Sequence, residues 1–335
     1  LFCLFSCAFA SLCFAGEVRY EAEMEIVASE LIKNSKVDAG VVAAQPSVDF
    51  EGCEDLKARP LMAVVIDDLG HAHYTAKFVA FKRPLTLSFL PYGDALEAQI
   101  DKAHANGHEI MLHMPMEPLA KKPKEPMMIM AGMDDAEITE RLHEALGRFS
   151  HHVGVNNHMG SKITSDRHMM DVVMEVLKDR NLLFLDSMTT SRSTGQASAD
   201  EAGVQSLARD VFLDDQYDER SPFERLMQTH AKARKNGYAI AIGHPVRRTY
   251  DDMLRFMDVL ARDKTVDLVP LAVILRKKNC LAREWAAASV SKDQGVHYAA
   301  NDGDLARLEQ MVRSVDEDIA AIRRSLSQAS LRQVP

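Results

Sequence analysis

Leu61-Met62-Ala63-Val64-Val65-Ile66-Asp67-Asp68-Leu69-Gly70 is the stretch on which the fold turns. Six apolar residues run without a polar interruption, bounded by Pro60 and Gly70, and the run ends in two carboxylates. A short apolar run of this kind reads as a parallel strand buried on both faces. In α/β folds, ligands bind outside the carboxyl ends of such strands. Two adjacent carboxylates repel each other and need a cation or a shared proton to be held together. Asp68 alone is also explained as the N-cap of a following helix. From this stretch in isolation, cap and chemistry are equal alternatives.

Working outward, strand-like and helix-like segments alternate. Strands are expected at Leu61–Ile66, Leu85–Leu90, Glu109–His113, Gly154–Asn156, Leu182–Asp186, Val211–Leu213, Ala239–Gly243 and Val266–Val273. Helical periodicity falls at Tyr74–Phe81, Ala95–Asn106, Asp134–Phe149, Arg167–Arg180, Pro222–Asn236 and Tyr250–Arg262, with stop signals at Gly107 and Gly237. The alternation predicts an α/β protein with a mostly parallel sheet or barrel and right-handed crossovers. The Lys121–Pro126 segment reads as a solvated loop, and Met127–Met130 as apolar filler.

The 335 residues suffice for one large α/β domain or two smaller ones. A formal net charge of -9 disfavours an extended nucleic-acid footprint and simple adhesion to anionic lipid. Leu1–Ala15 carries no charge, is too short to span a bilayer and ends in small residues, so it reads as a signal-peptide core cleaved after Ala15. Cys13 suggests lipidation, but Leu12 stands where a small residue is needed, so simple export is preferred. The protein is therefore expected in the periplasm or cell envelope, with no transmembrane segment in the mature chain. Residues 16–60 read as a mobile lead-in containing a helix over Glu21–Lys33, residues 61–279 as the main domain, and residues 280–335 as a helical extension. Within that extension, apolar spacing over Asp304–Leu326 predicts an amphipathic helix. Only Cys53 and Cys280 follow the leader. They either pair in an oxidising compartment or remain buried thiols, and a cysteine-based zinc site is excluded.

Five expected strands end in polar groups: Asp67-Asp68, His113, Asn156-Asn157-His158, Asp186-Ser187 and His244. Parallel strands present these ends on one face, so residues far apart in sequence converge. Aspartate and neutral histidine suit a divalent cation such as zinc, which lowers the pKa of bound water. A free carboxylate can then serve as base and a histidine opposite as acid. Among the other histidines, His71, His73, His104, His108, His143, His151, His152 and His168 read as surface or packing residues.

Six blocks in this order resemble the divergent polysaccharide deacetylase family: Val65–Gly70, Leu87–Gly93, Gly107–Glu117, Gly154–Ser161, Phe184–Ser187 and Ile242–Pro245. That family is similar to the larger NodB-type polysaccharide deacetylases. The resemblance implies a distorted (β/α) barrel, a divalent metal such as zinc, and hydrolysis of N-acetyl groups on an envelope glycan such as peptidoglycan. Carried over residue by residue, it implies Asp67 as base, Asp68 and His113 as metal ligands, His244 as general acid and Asp186 as the carboxylate that tunes it. Where the larger family has a second histidine four residues after the first, this chain has Glu117. The third ligand is thus His158 or Glu117, with His158 preferred. The larger family's arginine-proline motif is absent, and Lys162 is the expected cation beside Asp67. These departures keep open a second reading, a catalytically silent carbohydrate- or protein-binding envelope protein on the same fold. A metal-dependent phosphoesterase fits the ligand types less well.

Overall fold

The computed structural model describes residues 52–293, with side chains described to residue 282. The expected leader, the helix over Glu21–Lys33 and the amphipathic helix over Asp304–Leu326 lie outside the described residues. The strands are β1 Leu61–Leu69, β2 Thr86–Phe89, β3 Glu109–Met116, β4 His152–Met159, β5 Leu183–Asp186, β6 Ser206–Ala208, β7 Val211–Phe212, β8 Tyr238–Gly243 and β9 Asp267–Leu268. The helices are α1 Cys53–Ala58, α2 Thr75–Val79, α3 Leu96–Ala105, α4 Asp135–Leu146, α5 Arg167–Asp179, α6 Gly195–Ala202, α7 Pro222–Asn236, α8 Arg247–Asp263 and α9 Leu271–Asp293.

Every strand pairing in the sheet is parallel, in the order β6-β5-β4-β3-β2-β1-β8-β7, with β9 added to β1. The two edge strands, β6 and β7, are consecutive in the chain and separated only by Arg209 and Asp210. So short a link can join the two edges only if the sheet curls round on itself. The fold is a distorted (β/α) barrel with its seam at Arg209-Asp210.

Side-chain alternation sorts the strands into two apolar layers. Met62, Val64 and Ile66 pack outward with Phe78, Leu142, Leu226 and Phe256 of the surrounding helices. Leu61, Ala63, Val65, Met111, Leu185, Ile240 and Ile242 pack inward with one another. The inner layer is closed at the amino ends of the strands by Leu56 of α1 and by Leu271 and Ile274 of α9. This plug leaves the carboxyl ends of the strands as the open rim.

Local chemistry explains several helix ends. Asp134 and Ser221 form capping boxes with Glu137 and Glu224, and Gly237 ends α7 at φ 85°. The expected strand over Val266–Val273 is instead a two-residue strand followed by a helix. Pro270 stops the ladder, and the Glu109 carboxylate accepts the amides of Leu271 and Ala272 at 3.0 Å each, which starts α9. An apolar run of this length fits a buried helix as well as a strand. The segment expected as a mobile lead-in ends in α1. The chain divides into two units after Cys280, and α9 crosses that point.

Cys53 and Cys280 form a disulfide across 227 residues of sequence, with Cα atoms 5.4 Å apart. It joins α1 to α9 beneath the inner core. A cross-link closing so long a loop mainly restricts the unfolded chain, so Cys53→Ser with Cys280→Ser should cost about 2–5 kcal/mol. Denaturant unfolding under oxidising conditions measures this. No described helix is long and apolar enough to cross a membrane.

Candidate metal centre and active site

The inward register carries the site. In β3, Met111 faces inward and His113 follows two residues later. In β8, Ile242 faces inward and His244 follows. Asp67 continues the inward face of β1 from Val65, and Asn156 and His158 share one face of β4. Asp68 has the wrong parity to join them by alternation alone. It reaches the site because its backbone is left-handed, φ 55°, where the β1–β2 register shifts between Ile66 and Leu69. A bulge of this kind re-aims a side chain, and its strain is characteristic of functional positions. Gly70, at φ 114°, turns the chain immediately afterwards, and a Cβ on Gly93 would stand 2.9 Å from its Cα.

Asp68, His113 and His158 then converge. Asp68 Oδ1 lies 3.1 Å from His113 Nε2 and 2.9 Å from His158 Nδ1, and these two nitrogens are 3.1 Å apart. The partners of the distal ring atoms settle the tautomers. Asn156 Nδ2 donates to Asp67 Oδ1 at 2.9 Å, so Asn156 Oδ1 is turned toward Ser88 Oγ at 2.6 Å and His113 Nδ1 at 3.0 Å. His113 must therefore donate through Nδ1, which leaves a lone pair on Nε2. His158 Nε2 faces Glu125 Oε2 at 3.2 Å, which places its lone pair on Nδ1. Three acceptors thus point at one place. Asp68 Oδ1 is buried with no hydrogen bond of acceptable geometry. A cation is what such a donor set fits. Without one, protons are the only relief, and the titration follows. Burial would raise the Asp68 carboxyl, but the imidazoles of His113 and His158 outweigh it and hold the group well below the usual range. Burial opposes protonation of His158, but Asp68 and Glu125 raise its pKa.

Two groups flank this centre. Asp67 Oδ2 is 3.6 Å from His113 Nε2. Burial pushes the Asp67 carboxyl up, against the pull of His113, His244 and Asn156. His244 Nε2 is 3.8 Å from Asp68 Oδ2, and its Nδ1 is 2.9 Å from Asp214 Oδ1. Asp214 is itself fixed by the His244 amide and the Thr249 hydroxyl, both at 2.7 Å. Burial works against the imidazolium, yet Asp214, Asp68 and Asp67 together hold His244 at about 9.

Asp186, expected to tune His244, does not face it. Leu183 and Leu185 point inward, so Asp186 points out, where it accepts from Ser193 Oγ at 2.6 Å and the Met188 amide at 2.8 Å. Asp214, not Asp186, is the carboxylate in contact with His244. It follows the expected strand Val211–Leu213, so the strand-end rule applied there would have found it. Glu117 is engaged with Lys162 at 2.6 Å and the Ala131 amide at 2.7 Å, outside the converging set. Lys162 is accordingly turned to Glu117 rather than to Asp67. Arg209 at the barrel seam feels the charges of Asp67, Asp186 and Asp215, donates to the carbonyls of Ser187 and Met188 at 2.8 and 2.9 Å and stacks on Phe212. Glu125, assigned to a solvated loop, also accepts from Tyr92 Oη at 2.5 Å. His108 lies at the opposite, amino end of β3. It accepts the Leu85 amide, and burial lowers its pKa to about 4, which fits a packing role.

Removing the Asn156 amide should free the His113 ring and leave Asp67 without its donor. We expect Asn156→Ala to lower divalent-metal affinity by about 10–100-fold, measured by titration with a competing chelator.

A parallel barrel with an aspartate and two histidines converging at its carboxyl rim defines a class of (β/α)-barrel proteins with a candidate metal centre. The particular family follows from sequence. The profile of the divergent polysaccharide deacetylases matches residues 64–275, and the chain belongs to that family. It is 39% identical over 188 residues to the uncharacterized protein YibQ of Escherichia coli K12, covering 55% of this chain and 58% of that protein. It is 36% identical over 189 residues to an uncharacterized protein of Haemophilus influenzae (KW20 / Rd), covering 56% of this chain and 68% of that one. The chain thus spans well under two thirds of the length of YibQ. In three dimensions it is similar to the uncharacterized protein ATU2773 of Agrobacterium tumefaciens C58, with a TM-score of 0.60 and 24% identity over 66% of this chain and 94% of that one.

Proposed function

We propose that the protein is a metal-dependent deacetylase that hydrolyses N-acetyl groups on an envelope glycan. The observation that carries this reading is the set of three lone pairs at Asp68, His113 and His158, flanked by Asp67 and His244. A divalent cation there, zinc by its preference for imidazole and carboxylate donors, supplies carbonyl polarisation and a water of lowered pKa. Asp67 takes the proton of the water that attacks the acetyl carbon. Its raised pKa suits it to that transfer. The C–N bond breaks as His244 Nε2 delivers its proton to the leaving nitrogen, and Asp214 holds the ring for the transfer. The products are acetate and a free amine.

The uncharged stretch Leu1–Ala15 and the Cys53–Cys280 disulfide support an exported protein in the periplasm or envelope, where disulfides persist. Leu119, Tyr217 and Val246 are exposed on the rim loops after β3, β7 and β8, which suits contact with the faces of sugar rings. The test is acetate release from N-acetylated glycan oligomers by the zinc-loaded protein. Release that depends on Asp67 and on the metal supports the reading. Metal binding without release from any oligomer would leave a silent binding protein.

A further inference from the structure

The strand β3 is followed by a flap pinned at both ends. The Glu117 amide donates to the Ile129 carbonyl and the Ile129 amide to the Pro115 carbonyl, both at 2.9 Å, and the Leu119 amide donates to Ser161 Oγ at 2.9 Å. This flap carries Glu125, which holds His158. The same segment, with Lys162 from the loop after β4, lines an open cavity of about 330 Å³ through Lys121, Lys122, Lys124, Leu119 and Met130.

The charge in this cavity is one-sided. Glu117 is spent on Lys162 and the Ala131 amide, and Glu125 on Tyr92 and His158. Lys121, Lys122 and Lys124 are exposed and have no ion pair or side-chain hydrogen bond among the described residues. Three uncompensated ammonium groups therefore meet at one cavity on a chain whose net charge is -9. A lysine run on an open face is ordinarily just solvated. Here the run lines a concave space, and Glu125, the next residue after Lys124, contacts His158 of the candidate metal set.

We propose that this cavity is an acid-recognising subsite, which takes an anionic substituent of the glycan whose N-acetyl group lies at Asp68. The ammonium groups act as point charges toward a carboxylate or phosphate oxygen, and they draw an acidic polymer to the rim. The substrate class is thus an acidic N-acetylated polysaccharide rather than a neutral one. The inference rests on the deacetylase reading for the reaction, but not for the binding.

Calorimetry on the zinc-loaded protein separates the two. The probes are N-acetylated oligosaccharides of equal length that are neutral, carboxylate-bearing or phosphate-bearing. At low salt, at least one anionic oligomer should bind roughly tenfold or more tightly than the neutral one, a difference of about 1.4 kcal/mol. Added salt should erase the difference. The tighter of the two anionic oligomers identifies the substituent. K121Q/K122Q/K124Q should remove the preference. K102Q/K178Q/K264Q makes the same charge change at exposed lysines near the carboxyl ends of α3, α5 and α8, away from the rim, and should keep it. Equal binding by the wild type overturns the proposal, as does a preference that survives the first triple change or is lost equally in the second. A preference that depends on the three lysines, with no acetate released from any oligomer, leaves the subsite standing and removes the enzyme.

Discussion

Alanine in place of His113 is expected to abolish high-affinity binding of a divalent cation and, with it, acetate release. His113 Nε2 is one of three atoms facing the same point, and its lone pair is held there by the proton that Nδ1 gives to Asn156. Glu117, the alternative ligand, is bound to Lys162 instead. Thermal unfolding with and without zinc measures the effect independently of activity. A ligand at a hundred times its Kd stabilises the native state by about 2.7 kcal/mol. The wild type should therefore gain stability with zinc and the variant should not. His158→Ala, at the more open rim, should lose the gain in the same way, which separates ligand loss from damage to a buried position. A His113→Ala protein that still gains full stability from zinc would remove Asp68, His113 and His158 as the metal set.

The second large effect concerns His244. As the proposed acid it must be protonated, so its raised pKa keeps it competent at neutral pH and activity should fall as pH rises through that value. The free site holds it at about 9. A divalent cation at Asp68 opposes the imidazolium, so in the loaded enzyme this alkaline limb lies below 9. His244→Ala should lower kcat by about 10²–10⁴-fold. Asp214→Asn removes the charge that favours the imidazolium, so it should move the limb to lower pH while metal affinity is retained. The profile of kcat/KM against pH checks both. An alkaline limb that does not move in Asp214→Asn would show that Asp214 does not act through His244.

Much of the barrel was legible because parallel strands buried on both faces appear as apolar runs between capped helices. Pro222 after Ser221, and Gly237 after Asn236, mark the bounds of α7 directly. What escaped had weak local signal. Helix α6, Gly195–Ala202, is built of small and polar residues, and β6 has three residues. Helix α9 starts on a cap supplied by Glu109, 162 residues earlier in the chain.

For the site, residue types and strand ends were enough to assemble Asp67, Asp68, His113, His158 and His244, because carboxyl ends of parallel strands necessarily share a face. Which side of a strand a residue occupies was not readable in the same way. Leu182-Leu183-Phe184-Leu185 is apolar at every position, so it carries no alternation from which to tell that Asp186 faces outward. Nor could spacing reveal that the left-handed backbone at Asp68 brings both members of the pair inward, or that Asn156 and Glu125 turn two imidazoles toward one point. Those are contacts between residues 33 to 89 positions apart. They form only when the sheet closes, since each depends on the register of another strand. The pair at Asp67-Asp68 marks the rim of the barrel from sequence; closure of the barrel divides it into an inner carboxylate beside Asn156 and an outer one shared with two histidines.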